Sequence, residues 1–507
     1  MPTIGAGVLH NAARVPDRPA LITPERRWTW RELDDDAART AARLRKAGLG
    51  KGDRFAIVAG NRAETVVAFF AAARLGAIVV PVNARLAAPE IAHILADAGP
   101  VAIASAPELD AVVDEAVTAA RAKLARFSLG AGGEHPDPTV AGTEEEPVYQ
   151  DFAAESDDAL ILYTSGTTGR PKGVLLDHHR AIWAALAQVV SLGLRDGERY
   201  LHLPPLYHAG GVVFLNAITL LGGTHVLIPA FDPGVAATTI ERERISAMLG
   251  VPTMYQFLLR HPGIDRYDLS SWRTGIFGAA PMPAETVRQL LARFPGVTFF
   301  QQCGQTEAGP TGLYSTYEQI QSRPDSSGHL AQPFVEARLV DENGADVAPG
   351  EVGELVLRGE PVMKGYWHQP EATAEAFRGG WLHTGDLMHL HEDGAMRLVD
   401  RLKDVIITGG RNVYSAEVEQ ALASHPDVAD CAVVGVRHPD WNETIVAVVT
   451  PVSGRAPTLE SIREHCRARI ADYKLPRELR LAEIPRTPSG KIQKHLIRKT
   501  FSKGQTV

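Results

Sequence analysis

Short apolar runs alternate with segments of helical periodicity through the first 300 residues. The runs that predict strands are Arg54–Val58, Ala77–Val82, Thr224–Ile228, Thr274–Phe277 and Val297–Phe300. Helical spacing of apolar positions predicts helices at Ala63–Arg74 and Ala88–Asp97. Strands separated by helices are typical of parallel sheets that are covered by helices. We therefore predict an α/β fold with mainly parallel, helix-covered sheets in a large N-terminal part.

The pattern changes twice towards the C terminus. From about residue 310 to residue 400 short strands with Gly-containing turns, such as Ala337–Val340, Glu354–Arg358 and Ala395–Val399, indicate a small β-barrel subdomain. The last hundred residues predict a small α+β domain with strands at Asp404–Ile407, Val428–Val436 and Thr444–Val452, and helices at Ala416–Ala423 and Leu459–Ile470. We predict an N-terminal domain of residues 1–400 and a mobile C-terminal domain of residues 401–507, with the junction near Asp400–Lys403.

Composition excludes several classes of protein. The formal net charge is −8, from 52 basic and 60 acidic side chains, which argues against binding of nucleic acid through a broad basic surface. The 3 cysteines are too few and too scattered for a disulfide framework. Tyr200–Phe231 contains no charged residue, but prolines interrupt it, and we predict buried core with a helix near Gly211–Leu221 and no membrane span. The first 19 residues lack the apolar run of a signal peptide, so we expect a cytoplasmic protein.

The segment Tyr163–Gly173 carries the strongest chemical signal. It places four hydroxyl side chains, three glycines and Lys172 between two apolar runs. Glycines let backbone N–H groups approach an anion, hydroxyls add donors, and the lysine adds a cation. Pro171 and Gly173 exclude a Walker loop. The composition fits a phosphate clamp, and a solvated hairpin rich in Ser, Thr and Gly fits it equally well.

Five further segments follow in a fixed order. They are Pro205-Leu-Tyr-His-Ala-Gly210, Cys303-Gly-Gln-Thr-Glu307, Thr384-Gly-Asp386, Arg401–Ile406 with Gly409-Gly410 and Glu417-Val-Glu419, and Pro485–Lys491. Together with Tyr163–Gly173 they resemble the motifs of the adenylate-forming superfamily, which comprises acyl- and aryl-CoA ligases, firefly-type luciferases and adenylation domains of peptide synthetases. The resemblance runs from about Asp17 to Lys494 and is greatest to the CoA ligases. It implies that a carboxylate attacks the α-phosphate of MgATP, and that a thiol, usually that of CoA, then displaces AMP.

The resemblance also implies catalytic roles. Lys491 would contact the reacting carboxylate and the α-phosphate, and Glu307 would hold Mg²⁺ beside the phosphates with Thr306. Thr164 and Lys172 would bind phosphate. His208 would position the carboxylate of the acid, and it is not expected to act as a general base because that carboxylate is already ionised at neutral pH.

The binding residues follow from the same motifs. ATP and AMP are expected to contact Thr164, Ser165, Gly166, Thr167, Thr168, Gly169, Lys172, Gly278, Ala279, Ala280, Cys303, Gly304, Gln305, Thr306, Asp386, Arg401 and Lys491. The expected acyl pocket comprises His208, Ala209, Gly210, Gly278, Gly304 and Ala308. Gly409 and Gly410 would line the path of CoA, and Lys403 would be the hinge between the domains.

Each of these residues also has an ordinary structural explanation. Gly278 to Ala280 could admit adenine or serve strand packing, Gly409 and Gly410 could be turn glycines, and Asp386 could be a turn carboxylate. The chain also departs from the family pattern, because Cys303 stands where the family has tyrosine, Arg411 where many CoA ligases have glutamate, and Ser415 where many have proline.

We predict an ATP-dependent acyl-CoA ligase for a hydrophobic acid, which could be fatty, aromatic or polycyclic, because the predicted pocket residues are small. The alternatives are an enzyme that performs one half-reaction or transfers the acyl group to a carrier protein, and a non-catalytic nucleotide-binding module. An amino-acid adenylation domain ranks lower, since no aspartate lies near Leu206–His208. The expected partners are the acid, ATP with Mg²⁺, and CoA, with no nucleic acid, in a monomer or homodimer.

Overall fold

The computed structural model describes residues 3–140, 145–164, 171–486 and 492–502. The chain folds into two compact units, of which the first comprises Met1–Ala337 with Val356–His383 and the second comprises Arg338–Leu355 with Thr384–Val507. The predicted ligand residues Ser165, Gly166, Thr167, Thr168, Gly169 and Lys491 lie outside the described residues.

Strands and helices alternate along the first 331 residues. The strands are β1 (Pro19–Ile22), β2 (Arg27–Thr29), β3 (Arg54–Val58), β4 (Ile78–Val82), β5 (Ala102–Ser105), β6 (Ala125–Ser128), β7 (Asp158–Thr164), β8 (Lys172–Asp177), β9 (Arg199–His202), β10 (Thr224–Leu227), β11 (Ala247–Gly250), β12 (Thr274–Gly278), β13 (Thr298–Gln305), β14 (Thr311–Ser315) and β15 (Leu330–Ala331). The helices are α1 (Ile4–Arg14), α2 (Trp30–Lys46), α3 (Ala63–Arg74), α4 (Ala88–Ala98), α5 (Asp110–Ala120), α6 (His178–Leu192), α7 (Ala209–Leu220), α8 (Pro233–Glu243), α9 (Pro252–Arg260), α10 (Ala284–Arg293) and α11 (Tyr317–Ser322).

The remaining elements are mostly strands. They are β16 (Val335–Val340), β17 (Val352–Gly359), β18 (Gly365–Tyr366), α12 (Pro370–Ala376), β19 (Phe377–Arg378), β20 (Trp381–Leu390), β21 (Met396–Arg401), β22 (Ile406–Thr408), β23 (Arg411–Val413), α13 (Ser415–Ala423), β24 (Val428–His438), β25 (Asn442–Pro451), α14 (Leu459–Arg467), β26 (Glu478–Leu481) and α15 (Lys494–Ser502). Short 3₁₀ turns occupy Pro107–Leu109, Ile264–Arg266, Thr306–Ala308, Leu402–Asp404 and Asp472–Lys474.

The larger sheet of the first unit carries most of the predicted site. Within the described residues it has nine strands in the order β15-β14-β13-β12-β11-β9-β10-β1-β2. The strands from β13 to β1 pair in parallel, and β14, β15 and β2 are antiparallel additions at the edges. Leu249, Ile276 and Phe300 pack against α6 and α7, and we call this the inner face. Phe277 and Phe299 point to the opposite face, which α8, α9 and α10 cover.

A second sheet of the first unit carries the segment that resembles a phosphate clamp. In the described part of the chain its order is β18-β8-β7-β4-β3-β5-β6. The strands from β7 to β6 pair in parallel, whereas β8 returns antiparallel to β7. Thr164, the last residue of β7, is paired with Lys172, the first residue of β8.

The second unit contains two groups of strands. Strand β17 lies between β16 and β20, and β21 pairs with β20 from Asp386–Arg401 to Leu390–Met396. Further along the chain, β22 to β26 form a sheet in which the long hairpin β24–β25 is central. Helices α13 and α14 pack on one face of that sheet through Val418, Leu422 and Ile462.

The predicted α/β class, with helix-covered mainly parallel sheets, a small curled sheet and a small α+β C-terminal region, is confirmed. Helix α3 has both of its predicted ends. Some details were wrong. Residues 311–331 add antiparallel strands to the large sheet and do not belong to a barrel, Asp404 ends a 3₁₀ turn and does not start a strand, and α14 ends at Arg467.

The boundary between the compact units differs from the predicted junction at residue 400. Strand β21 and most of β20 belong to the unit that also contains the C-terminal residues. The domain boundary at 400/401 therefore stays a prediction. No helix among the described residues is both long enough and apolar enough to cross a membrane.

Candidate functional site

A cluster of oxygen atoms surrounds Glu307 in the first unit. Glu307 lies in the 3₁₀ turn that follows β13, and its Oε1 atom accepts hydrogen bonds from the Tyr366 hydroxyl at 3.1 Å and from Thr164 Oγ1 at 3.5 Å. Lys172 Nζ lies 4.8 Å from the centre of the Tyr366 ring. The structure therefore brings together Thr164, Lys172 and Glu307, which the sequence predicted to act at the phosphates and which lie up to 143 positions apart.

Tyr366 keeps its proton in this cluster. Burial, followed by the neighbouring Glu307 carboxylate, raises the pKa of Tyr366 well above its usual range. The phenol therefore remains a donor and holds Oε1, while Oε2 of Glu307 accepts no hydrogen bond within the described residues. Nothing in the sequence patterns pointed to Tyr366, because it lies on β18, 59 positions from Glu307.

The donors in this cluster fit a hard cation that is held mainly by a substrate. Mg²⁺ in nucleotide enzymes takes one or two carboxylates and keeps phosphate and water as its other ligands. One carboxylate with an available oxygen matches that requirement, and the described residues contain no group of three or more His, Cys, Asp or Glu side chains that could hold a metal alone. Lys172 forms no ion pair with another described residue.

The predicted adenine-binding residues lie where β12 ends. Gly278 is buried, and a Cβ atom there would lie 2.4 Å from the carbonyl oxygen of Gln302 on β13. Strand packing alone thus requires glycine at this position. Ala279 has a φ of +66°, a left-handed conformation that is costly for alanine, and both Ala279 and Ala280 are exposed. Exposed, strained backbone beyond a strand is a feature of ligand sites.

The Cys303–Thr306 segment continues from β13 into the turn that carries Glu307. Cys303 is a half-buried free thiol. Gly304 is exposed and pairs with Gly312 of β14, and a Cβ atom on Gly304 would lie 2.4 Å from the Thr311 carbonyl oxygen. Close approach of the two strands therefore accounts for this glycine. Gln305 and Thr306 are half-buried between the strand and the turn.

The predicted acyl-pocket residues lie on or beside the inner face. Gly278 and Gly304 occupy strand positions on the same face as Ile276 and Phe300, because alternate positions along a strand share one face. Gly210, in the first turn of α7, faces Leu249 of β11, since a Cβ atom there would lie 3.5 Å from the Leu249 side chain. His208 is the N-cap residue of α7 and Ala209 follows it, both half-buried. Ala308 is fully buried in the turn after β13.

The second unit contains the other predicted nucleotide contacts. Asp386 and Arg401 are directly paired on β20 and β21, with Arg401 Nε 3.1 Å from Asp386 Oδ1. Gly385, inside β20, has a φ of +71°, a left-handed conformation that interrupts the regular strand just before Asp386. Asp386 is 8% exposed, whereas Arg401 is exposed, so the pair presents a guanidinium group at the surface of this unit.

Residues next to the predicted hinge form a connected polar group. The Asp400 carboxylate accepts hydrogen bonds from the backbone N–H and the hydroxyl of Ser415, the latter at 2.7 Å, at the start of α13. Lys494 Nζ donates to Ser415 Oγ at 2.6 Å and pairs with Glu419 at 2.8 Å. Ser415, one of the departures from the family pattern, thus supplies two donors that proline could not supply. Lys403 lies in the exposed 3₁₀ turn that follows β21.

The predicted CoA residues make the turn of the β22–β23 hairpin. Gly409 and Gly410 have φ values of +56° and +72°, as the two central residues of such a turn require. Trp441 packs against Gly409, and the Arg477 guanidinium lies 4.5 Å from the centre of the Trp441 ring. The sequence analysis missed Trp441 and Arg477, because neither lies in a motif. Arg411 similarly lies 4.9 Å above the Tyr473 ring.

Comparison with known proteins covers nearly the whole chain. Residues 8–367 match the model of the AMP-binding enzyme family, and residues 417–491 match the C-terminal domain of AMP-binding enzymes. A feruloyl-CoA synthase from an Amycolatopsis species is 40% identical over 501 residues, which are 98% of this chain and 99% of that protein. An indoleacetate–CoA ligase from Aromatoleum aromaticum is 35% identical over 508 residues, with 97% of each chain covered.

A solved structure shows the same fold. The o-succinylbenzoate-CoA synthetase (MenE) of Bacillus subtilis, in complex with its acyl-adenylate intermediate, superposes with a TM-score of 0.87 at 28% identity and covers 99% of this chain and 98% of that chain. The resemblance inferred from the motifs is confirmed. The chain belongs to the AMP-binding enzyme family of the adenylate-forming superfamily, and it is an acyl-CoA synthetase, an AMP-forming acid–thiol ligase that uses ATP and CoA.

Proposed function

We propose that this synthetase activates an aromatic carboxylic acid and performs both half-reactions on it. Two relatives are named for aromatic acids, ferulate and indoleacetate. Gly210 leaves space beside Leu249, and Gly278 and Gly304, which strand packing requires, add no side chain to the inner face, so a flat ring would fit against it. The alternatives of a single half-reaction or of a carrier-protein acceptor have no observation in their favour.

The Glu307 cluster is the observation that carries the proposal. The triphosphate of ATP would lie between Lys172 and Glu307, with Thr164 as a hydroxyl donor. Glu307 Oε2 would hold Mg²⁺, which supplies charge neutralisation of the phosphates when it is bound. Tyr366 would keep the Glu307 carboxylate in place by holding its other oxygen at 3.1 Å.

The remaining groups would serve the ribose and the reacting atoms. Asp386 offers acceptors for the two ribose hydroxyls, and Arg401 offers donors. Arg401 already pairs with Asp386 at 3.1 Å, so one ribose could contact both side chains. His208, at the start of α7, would position the carboxylate of the acid, and Lys491 would contact that carboxylate and the α-phosphate.

The CoA side of the reaction would use the β22–β23 turn. Bare backbone at Gly409 and Gly410 leaves room for the pantetheine chain. Beside it, the exposed Trp441 ring could stack on a base and Arg477 could bind phosphate. The cytoplasmic location, the monomeric or homodimeric state and the boundary at 400/401 remain predictions from the sequence.

The test replaces Glu307 by glutamine, which keeps the volume and removes the charge. We expect Glu307→Gln to reduce pyrophosphate release from ATP and acid by roughly 10²- to 10³-fold, the usual loss when one preorganised electrostatic contact is removed. Formation of thioester from a preformed acyl-adenylate and CoA should fall much less, since no triphosphate is bound in that step. Both rates are measured with ferulic acid and with its synthetic adenylate.

The matched control is Glu336→Gln. Glu336 is exposed and pairs with Arg358 at 2.7 Å, so it undergoes the same substitution away from the cluster and should keep both rates. Equal losses of both rates in Glu307→Gln would contradict the proposed role. Wild-type protein that converts adenylate to thioester but releases no pyrophosphate with any acid would favour the single half-reaction.

A further inference from the structure

Three hydrogen-bonded amide side chains, two of them buried, connect α6 to the inner face. The Gln188 side-chain oxygen accepts hydrogen bonds from Gln302 Nε2 at 2.6 Å and from Gln332 Nε2 at 3.2 Å. Gln188 is 1% exposed and Gln332 is 2% exposed, whereas Gln302 is half-buried. An amide can be turned to exchange its oxygen and nitrogen, so the orientation of the three amides depends on what holds the ends of the series.

The end at Gln332 is held by fixed groups. Its Oε1 atom accepts from the backbone N–H of Gly312 at 3.1 Å, and a backbone N–H can only donate. Its Nε2 atom donates to Ser191 Oγ at 3.3 Å. The Ser191 hydroxyl donates its own hydrogen to the Ala187 carbonyl at 2.7 Å, so it can only accept from Gln332. Gln332 therefore presents N–H, and never oxygen, to Gln188.

The orientation of the Gln332 amide determines the orientation of the Gln302 amide. Because Gln332 donates, the Gln188 atom between the two other amides must be oxygen, and Gln188 Nε2 then faces the Pro310 carbonyl at 3.3 Å as a donor. The atom of Gln302 that meets Gln188 must accordingly be nitrogen. This is the one side-chain hydrogen bond of Gln302 within the described residues, so its carboxamide oxygen has no partner there.

Gln302 lies among the residues proposed to line the acyl pocket. It is in register with Gly278 on the neighbouring strand β12. Gly304 follows it by two positions on the same strand, and side chains two positions apart point to the same face. The oxygen of Gln302 is thus an acceptor of fixed orientation on the inner face, between two glycines that expose no side chain of their own.

We propose that Gln302 determines specificity by accepting a hydrogen bond from the acid, so that the preferred substrate is an aromatic acid whose ring carries an O–H or N–H donor. This inference rests on the proposed function, because it assigns the acid to the inner face. An ether, a halogen or a nitro group at the same ring position offers only acceptors and would face the Gln302 oxygen without a hydrogen bond. The neighbouring amides keep Gln302 Nε2 beside Gln188, so Gln302 cannot turn to place its nitrogen where its oxygen lies.

The expected discrimination is about tenfold in kcat/KM and in Kd, the value of one neutral hydrogen bond at the upper end of its usual range. The probes are the 2-, 3- and 4-hydroxycinnamic acids and their methyl ethers, which differ only in the donor and one methyl group. For each pair we measure pyrophosphate release with ATP and, separately, acid binding by calorimetry. At the ring position that meets Gln302, wild-type protein should prefer the phenol by about tenfold or more in both measurements.

Two variants at position 302 and one at position 188 test the origin of the preference. Gln302→Leu and Gln302→Met remove the acceptor, and both should bring the phenol-to-ether ratio close to one, mainly by weakening the phenol. Gln188→Leu removes the atom that orients Gln302, so the amide can turn, and this variant should lower the ratio while improving use of the ether. Gln289→Leu, an exposed glutamine on α10, is the control and should leave the ratio unchanged.

The outcomes separate this inference from the proposed function. Wild-type ratios near one for all three pairs would overturn the inference, and so would a preference that survives both Gln302 variants. Binding that shows the preference without pyrophosphate release from any acid would support the role of Gln302 and contradict the proposed reaction. Turnover of phenols and ethers at equal rates would support the proposed reaction and contradict the role of Gln302.

Discussion

His202 and His225 form a hydrogen-bonded pair inside the uncharged segment of the first unit. His202 Nε2 lies 3.0 Å from His225 Nδ1, and both side chains are fully buried. The Thr219 hydroxyl donates to the Leu215 carbonyl at 2.8 Å, so its oxygen accepts from His225 Nε2 at 3.1 Å. His225 therefore carries its proton on Nε2 and accepts from His202, and both rings are neutral.

Neutrality of these rings makes stability depend on pH. Burial lowers the pKa of His225 to about 3 and that of His202 well below its usual range. The unfolded chain would protonate both near pH 6.5. Between pH 6.5 and pH 3 unfolding therefore takes up protons, and the free energy of unfolding falls as the pH falls. The loss is about 2 kcal/mol for each histidine between pH 6.5 and pH 5.

We predict that replacing both histidines by leucine flattens this dependence. The test measures hydrogen exchange of the α7 amides at pH 7.5 and pH 5 and converts it to free energies of opening. Wild-type protein should lose about 4 kcal/mol more than the double variant over this range. The control is His10→Gln, an exposed histidine on α1, which should behave as wild type. Identical pH dependence in wild type and double variant would refute the assignment.

The first turn of helix α7 contains two adjacent glycines, Gly210 and Gly211, and each is glycine for a different reason. A Cβ atom on Gly211 would lie 2.3 Å from the Pro205 carbonyl oxygen and 2.9 Å from Leu206 Cα, which is backbone that cannot turn aside. A Cβ atom on Gly210 would lie 3.5 Å from the end of the Leu249 side chain, an ordinary contact. Gly211 thus fixes the turn before His208, and Gly210 leaves space on the inner face.

The pair Gly211→Ala and Gly210→Ala tests this difference. Gly211→Ala should lower the melting temperature and reduce kcat/KM for the acid, because the turn that carries His208 must shift. Gly210→Ala should keep or raise the melting temperature, since alanine is favoured over glycine within a helix by about 0.5–1 kcal/mol. It should raise the KM of a bulky acid and leave the KM of ATP unchanged. Similar stability losses in both variants would contradict this explanation.

Local patterns predicted the elements well where burial is uniform. Helix α3 is buried along almost its whole length, begins after the polar pair Asn61-Arg62 and ends just before Leu75-Gly76, and its ends matched the prediction. Strand β13 was expected to end at Phe300 but continues to Gln305, because Gln301 to Gln305 pair with β14. Pairing with an antiparallel neighbour satisfies polar residues in a strand, and a single-strand pattern does not show it.

The site was predictable where motifs name its residues. Glu307, Thr164 and Lys172 were predicted from their motifs and lie in one cluster. Tyr366 and Gln188 were not predicted, because their partners lie 59 and 114 positions away and no local signal marks them. Contacts of this kind depend on the packing of whole sheets, so the sequence alone specifies the reacting groups better than the residues that orient them.

At the scale of the whole molecule, the central expectation is movement about Lys403. The turn Leu402–Asp404 follows β21, which pairs with β20. The last residue of the turn, Asp404, is buried and accepts a hydrogen bond from Arg498 at 2.9 Å. Asp404 is thus fixed to α15, so a rotation must occur before it. In this structure Ser415 donates to Asp400 across the turn, and a rotation about Lys403 would have to break that contact.

Lys403→Pro tests the movement, because proline fixes φ near −65° and removes a backbone donor, so the turn can adopt fewer conformations. If the two half-reactions use different arrangements about this residue, the variant should slow one of them by about tenfold or more and spare the other, since a hinge absorbs large backbone changes in a few residues. Pyrophosphate release and thioester formation from preformed adenylate are measured separately. Lys403→Ala removes the same charge but leaves the backbone free, and it should keep the wild-type ratio of the two rates. If both variants change the ratio equally, the charge of Lys403 matters and its backbone does not. Unchanged rates in Lys403→Pro would show that the enzyme completes both half-reactions without a rotation at this position.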